Sequence, residues 1–188
     1  LPATKKLKPE QAKQFTIGLV HTREQKIPVE ISIEAYYKKI SHLIEYKEGV
    51  SFLNNETEWE NKVEYDGIAD IYGIDFLIHK KVGKINGWIG YTLSKNERIF
   101  KNLNNSKPYP YKYDQRHNFS IVVNYIINNK INISGSWVYN TGNGITLPTN
   151  RYGTIEYSPE ALYGNMLSDA HIYTSRNAHR LPNFHKLD

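Results

Sequence analysis

Residues 117–141 read HNFSIVVNYIINNKINISGSWVYNT. From 117 to 127, Phe119, Ile121, Val123, Tyr125 and Ile127 alternate with Asn118, Ser120 and Asn124. From 131 to 141, Ile131, Ile133, Trp137 and Tyr139 alternate with Asn132, Ser134, Ser136 and Asn140. A period of two sends neighbouring side chains to opposite faces, and β-branched and aromatic residues suit a pleated backbone, so both stretches read as strands. Asn128-Asn129-Lys130 between them supplies residues that tolerate a tight turn.

The same alternation extends outward from this hairpin. Phe15, Ile17 and Leu19 alternate within 13–21; Val29, Ile31, Ile33, Ala35 and Tyr37 within 28–39; Tyr72, Ile74, Phe76 and Ile78 within 70–80; and Ile85, Ile89, Tyr91 and Leu93 within 85–95. Across the last five strands the apolar face offers 24 positions, none of them charged and two of them glycine. The other face holds Glu30, Glu34 and Asp75. A charge facing lipid at mid-membrane costs up to about 2–4 kcal/mol, so strict avoidance on one face is what a bilayer demands.

The connections alternate as well. Residues 22–27, 81–84 and 128–130 are short, whereas 41–66, 96–115 and 142–180 are long. Short and long in strict turn predicts an all-β, antiparallel, up-and-down transmembrane barrel wall with tight periplasmic turns and extended outer loops. In that orientation Tyr37, Tyr72, Tyr91, Phe119 and Tyr139 fall near the outer end of the apolar band, as a girdle at headgroup level. The long connections hold Tyr, Trp and Leu and are expected to be structured, with extra hairpin around Ser51-Phe52-Leu53 and Trp59–Tyr65.

Composition removes several other classes. A chain of 188 residues is one domain or a piece of one. With no cysteine there is no disulfide scaffold, thiolate metal site or thiol catalysis. The net charge of +5 is spread along the chain, which points away from nucleic acid as a partner. The longest apolar runs, such as Ile121-Val122-Val123, are far short of a membrane helix, and the first residues lack the apolar core of a signal peptide. The 15 tyrosines and 3 tryptophans suit surfaces that are apolar at one end and wet at the other.

Candidate chemistry is sparse. Asp114-Gln115-Arg116-His117 holds an acid, a cation and a base, but it lies where a long loop becomes a strand, with Asp114 and Arg116 on one side and His117 on the other. It reads as the start of a strand. His171, His179 and His185 lack metal-ligand spacing. Gly142-Asn143-Gly144 lacks the strand and helix of a phosphate cradle and reads as a flexible loop. The Asn-x-Ser/Thr triplets at Asn55, Asn104, Asn118 and Asn132 carry no meaning in a bacterial protein. Inward-facing Glu30, Glu34, Asp75 and Trp88 are expected to solvate a lumen. No cofactor, metal or catalytic residue is expected, and the chain does not read as an enzyme.

Six stretches carry a resemblance: Pro9-Glu10-Gln11; Glu34-Ala35-Tyr36-Tyr37-Lys38-Lys39; Tyr72-Gly73-Ile74-Asp75; Gly87-Trp88-Ile89-Gly90-Tyr91-Thr92-Leu93-Ser94; Tyr113-Asp114-Gln115-Arg116-His117; and Arg180-Leu181-Pro182-Asn183-Phe184-His185-Lys186-Leu187-Asp188. In this order, over nearly the whole chain, the sequence resembles the C-terminal part of the β-barrel of Bacteroidetes TonB-dependent outer-membrane receptors. The resemblance implies a place in the cell outer membrane and a parent barrel of 22 strands with an N-terminal plug. It also implies uptake of a large nutrient (siderophore, cobalamin, glycan or similar). The implied partners are the TonB complex, reached through the N-terminal region, outer-membrane lipid and a surface lipoprotein. Residues 1–188 are then expected to be a fragment, six strands and the start of a seventh, with plug and final strands absent.

On this reading the outer loops meet the nutrient, with Tyr46, Trp59, Tyr109, Tyr111, Tyr152 and Tyr157 as the aromatic contacts. Two rivals stand beside it. A soluble β-sandwich glycan-binding or adhesion module would explain the aromatics without a membrane. A smaller complete barrel with an enzymatic lumen would need an acid–base constellation that the residues do not supply.

Overall fold

Alternating residues of the wall hydrogen-bond into a single open sheet. The computed structural model describes residues 7–23, 28–47, 59–156, 166–173 and 175–188. Its strands are β1 (Gln11–Arg23), β2 (Val29–Tyr46), β3 (Val63–Lys80), β4 (Ile85–Ile99), β5 (Tyr109–Pro110), β6 (His117–Asn128), β7 (Ile131–Asn140), β8 (Gly144–Ile145), β9 (Asn150–Glu156), β10 (Met166–Ile172), β11 (His179–Arg180) and β12 (Phe184–Leu187). One helical turn, α1 (Trp59–Lys62), precedes β3. The wall runs β1-β2-β3-β4-β6-β7-β12, with β5 on the far end of β4, and every pair is antiparallel. Each long strand thus pairs with its neighbour in the sequence, which is the up-and-down order of a membrane barrel. As expected, a seventh strand opens after Asn183, where β12 pairs with the loop end of β7.

Register places the alternating apolar residues of successive strands in common rows on one face. Leu19, Ile33, Phe76, Tyr91, Phe119 and Tyr139 follow one another across the sheet as direct partners. Ile31, Ile78, Ile89, Ile121 and Trp137 form the next row. A one-residue slip anywhere would turn a whole strand inside out, so this agreement fixes which face is which. Charged residues bound the apolar band at both ends. On β1 the outward face runs from Lys13 to Arg23, and on β3 from Asp70 to Lys80, ten residues in each case. At about 3.3 Å per residue and a tilt of about 40°, that is a band about 25 Å tall, matching the hydrocarbon thickness a membrane barrel must cover.

The aromatic row is stepped. Tyr37 and Tyr72 are direct partners, as are Tyr91, Phe119 and Tyr139, but Tyr72 faces Lys95 and Tyr91 faces Phe76, four residues lower on β4. A line of constant depth crosses tilted strands obliquely to their registered pairs, so a girdle and a register row need not coincide.

The first four strands are longer than the alternation predicts, β2 and β3 most of all. β2 continues to Tyr46 and β3 starts at Val63, so the first long connection shrinks from 41–66 to 47–62. Register shifts at Ser41/Leu43 and Leu43/Glu45, with His42 at φ 60, mark bulges that turn Leu43 and Glu45 to the inner face. A bulge adds a residue to one strand and so breaks the period of two on which the strand limits were read. The hairpin expected at Trp59–Tyr65 is corrected: Trp59–Lys62 is α1, and Val63–Tyr65 belongs to β3. Ser51-Phe52-Leu53 lies outside the described residues. The third connection does hold extra β-structure, the β9/β10 hairpin and the small β8/β11 pair.

Buried apolar residues lie at the loop end of the inner face, away from the outward band. Leu43, Ala69, Phe100, Leu103 and Tyr109 form one cluster, with Ile40 and Ile71 packed against it. Ile40, Ala69 and Arg98 share a register row on the inner face, so the 100–116 loop folds inward over the wall. Gly67 makes this possible, because a Cβ there would lie 2.2 Å from the Phe100 ring.

Candidate functional site

The loop ends of β2 and β3 meet the second and third connections on the inner face, and polar side chains tie them together. Bulged β2 turns Glu45 inward, where its carboxylate takes Arg98 of β4 at 3.0 Å and Arg176 of the third connection at 3.4 Å. The Arg98 guanidinium lies 3.6 Å from the centroid of Tyr111, and Arg176 lies 5.5 Å from that of Tyr109. Stacking of guanidinium on phenol rings holds both cations while leaving their edges for the carboxylate. Glu64 accepts a 2.7 Å hydrogen bond from the Asn102 amide.

Asp114 is the second tie. Its side chain is 1% exposed, and it accepts a 2.7 Å hydrogen bond from the backbone N–H of Asn96. Arg180 of β11 reaches back to the same carboxylate, to the Asp114 carbonyl and to the Gly142 carbonyl. Arg116 lies 3.8 Å away, on the same side as Asp114. His117 turns the other way, with its Nδ1 2.8 Å from the Tyr91 hydroxyl. The four residues thus split between faces as alternation requires, and Asp114 serves as an anchor for the arginine of a distant segment. Asn177 extends the tie, donating from its amide to the Pro110 carbonyl at 2.9 Å.

Gly142 is corrected from a flexible loop to a packing position. It is buried, and a Cβ there would sit 1.8 Å from the Leu181 carbonyl oxygen, so only glycine lets the returning chain pass. Below the loops a cleft of about 320 Å³ is lined by Tyr36, Gly73, Ser94 and Arg116 among others. Glu34 and Asp75 are direct partners on the inner wall, and Glu30, His79 and Trp88 share another row.

The rings expected to meet a ligand occupy different settings. Tyr46 ends β2 and Trp59 begins α1. Tyr111 is half-buried under Arg98 and packs edge-on against Tyr113. Tyr152 stands exposed on β9. Tyr109 is 1% exposed inside the loop core. Tyr157 lies outside the described residues. Glu45, Arg98 and Arg176 escaped the reading of the sequence, and Arg180 entered it only as part of the 180–188 stretch. Continuing the alternation past residue 95 would have turned Arg98 inward, but nothing local couples it to residue 176. Among the described residues no group of three or more His, Asp or Glu could hold a metal ion. The surface offers aromatic faces, amides and guanidinium groups.

Residues 2–187 match the family model described as TonB dependent receptor-like, beta-barrel. No curated protein and no solved structure matches the chain.

Proposed function

Because the chain belongs to the TonB dependent receptor-like β-barrel family, a family of outer-membrane receptors and transporters, we propose that it forms wall and outer loops for uptake of a large nutrient. The carrying observation is the outward face: apolar in register across the wall and bounded by charged rows about 25 Å apart. In this reading the loop end faces outside and the turn end faces the periplasm. The β-sandwich rival would cover that face with a second sheet. Among the described residues the wall is one open sheet, with Ile31, Ile74 and Ile133 on its exposed face.

The cargo is a siderophore, cobalamin, glycan or comparably large solute, met by the loops. Tyr46, Trp59, Tyr111, Tyr152 and Tyr157 are the proposed contacts, with Tyr109 acting from behind as a support for Arg176. Energy comes from the TonB complex through the rest of the receptor, and a surface lipoprotein can complete the outer side.

Two substitutions in the full receptor test this. Ile121→Arg puts a charge on the lipid face inside the apolar band and is expected to cost up to about 2–4 kcal/mol, lowering the yield of heat-modifiable barrel in the outer membrane. Unchanged assembly would refute the lipid-facing assignment. Tyr111→Ala with Tyr152→Ala is expected to weaken binding about tenfold or more, tested over ferric siderophores, cobalamin and oligosaccharides, while assembly is kept. Equal binding of every compound by both proteins would remove the loops from recognition.

A further inference from the structure

At the turn end the outward face carries cations and, among the described residues, no acid. Arg23 closes β1 and Lys80 closes β3, and both are registered on Val29 of β2, one from each side. Their backbones are therefore two strand spacings apart, about 10 Å, which the long side chains of Arg and Lys can bridge. The row continues from Lys80 to Gly87 and Val123. Val29 beside Lys80 is short, and the Lys80 ammonium lies at the 81–84 turn, 3.4 Å from where a Cβ at Gly83 would be. Neither Arg23 nor Lys80 has an ion-pair partner among the described residues. The nearest acid in the register, Glu30, belongs to the inner face and is held by Lys81 at 2.8 Å.

The loop end differs. There Lys13, Lys39 and Lys95 share the outward face with Asp70 and Glu97. Lys95 pairs with Glu97 at 2.6 Å, and Asp70 accepts the Tyr37 hydroxyl. Among the described residues, one boundary of the band is electrically mixed and the other is basic.

We propose that Arg23 and Lys80 form a site for the phosphate of an anionic phospholipid in the leaflet at the turn end. The proposal rests on the reading of the outward face as lipid-facing. Basic side chains at the edge of an apolar band snorkel to the headgroup plane, and uncompensated cations there attract anionic lipid. Arg23 brings a planar fork that can hold two phosphate oxygens, and Lys80 adds a point charge.

The test uses the full receptor reconstituted in phosphatidylcholine bilayers doped with phosphatidylglycerol, with retained lipid read by native mass spectrometry. The wild type is expected to retain phosphatidylglycerol several-fold over phosphatidylcholine. Arg23→Gln with Lys80→Gln is expected to lose that preference, each single change to lose part of it, and Arg23→Lys with Lys80→Arg to keep it. Lys13→Gln with Lys39→Gln, at the other boundary, is expected to keep it too. Unchanged retention in the double glutamine variant overturns the site, as does an equal loss from the Lys13 and Lys39 pair. Displacement of the lipid by millimolar inorganic phosphate would assign a free-anion site instead and overturn it as well. Intact assembly of Ile121→Arg would fail the lipid wall itself, whereas a heat-modifiable wild type without lipid preference fails this site alone.

Discussion

Gly67 and Phe100 show how one missing side chain admits another. The Phe100 ring occupies the space a Cβ at residue 67 would need, and it is 1% exposed, stacked near Tyr109 with ring centroids 6.4 Å apart. Gly67→Ala must push the ring out of the inner-face core. Overpacking of this kind costs about 1–3 kcal/mol, so limited proteolysis of the folded receptor is expected to cut the 100–116 loop faster. Unchanged cutting would mean that the loop is not held by this contact. Phe100→Ala should cost more, about 3–5 kcal/mol in the same assay, because it leaves a cavity beside Leu43, Leu103 and Tyr109. At this scale the sequence shows its aromatics but not their settings. Tyr109 and Tyr111 sit two residues apart in one connection, yet one is buried and the other half-open. Burial depends on Leu43 and Ala69 arriving from two strands and Phe100 from the loop after β4, and no local pattern reports that.

Among the elements, the third connection is the longest and is tied down at its returning leg. Arg180 reaches the Asp114 carboxylate, Arg176 reaches Glu45, and the backbone N–H of Gly144 donates to the Lys112 carbonyl at 2.9 Å. Asp114→Asn keeps the shape but removes the charge that Arg180 and the Asn96 amide share. Hydrogen bonds to a charged group are worth about 1.5–3 kcal/mol, so the 141–183 segment is expected to open and exchange its amide protons correspondingly faster. Arg180→Lys should fall between, since a lysine cannot serve three acceptors with one planar fork. Equal exchange in all three proteins would show that β8 and β11 hold the leg by themselves. Residues 113–117 and 180–188 stood out in the sequence as two separate stretches. That they clasp each other is a fact of the fold, because 66 residues separate Asp114 from Arg180.

At the scale of the molecule, two halves of the structure obey different constraints. The wall is periodic, and lipid on one side imposes a uniform demand on every outward position. The loop end is irregular, and its stability comes from a small core with two polar ties. The β9/β10 hairpin is a two-stranded sheet of its own, closed at its base by Thr149, whose backbone N–H donates to the Ile172 carbonyl at 2.8 Å. Replacing 150–172 by a short glycine-serine link in the full receptor is therefore expected to leave barrel assembly intact and to reduce cargo binding. Loss of the heat-modifiable barrel would place the hairpin in the wall's own folding.

The all-β class, the short turns and the face that meets lipid were determined by the sequence alone. A bilayer penalises each outward charge at its own position, so the record is written residue by residue with a period of two. The extension of β2 to Tyr46, the inward fold of the 100–116 loop and the ties at Glu45 and Asp114 were decided only in the tertiary structure. Bulges at Ser41–Glu45 cancel the period just where those features begin, and the partners of Glu45 and Asp114 come from loops far away along the chain. Periodicity reports an environment common to many residues, whereas a side-chain tie depends on two particular residues meeting, which only the folded chain arranges.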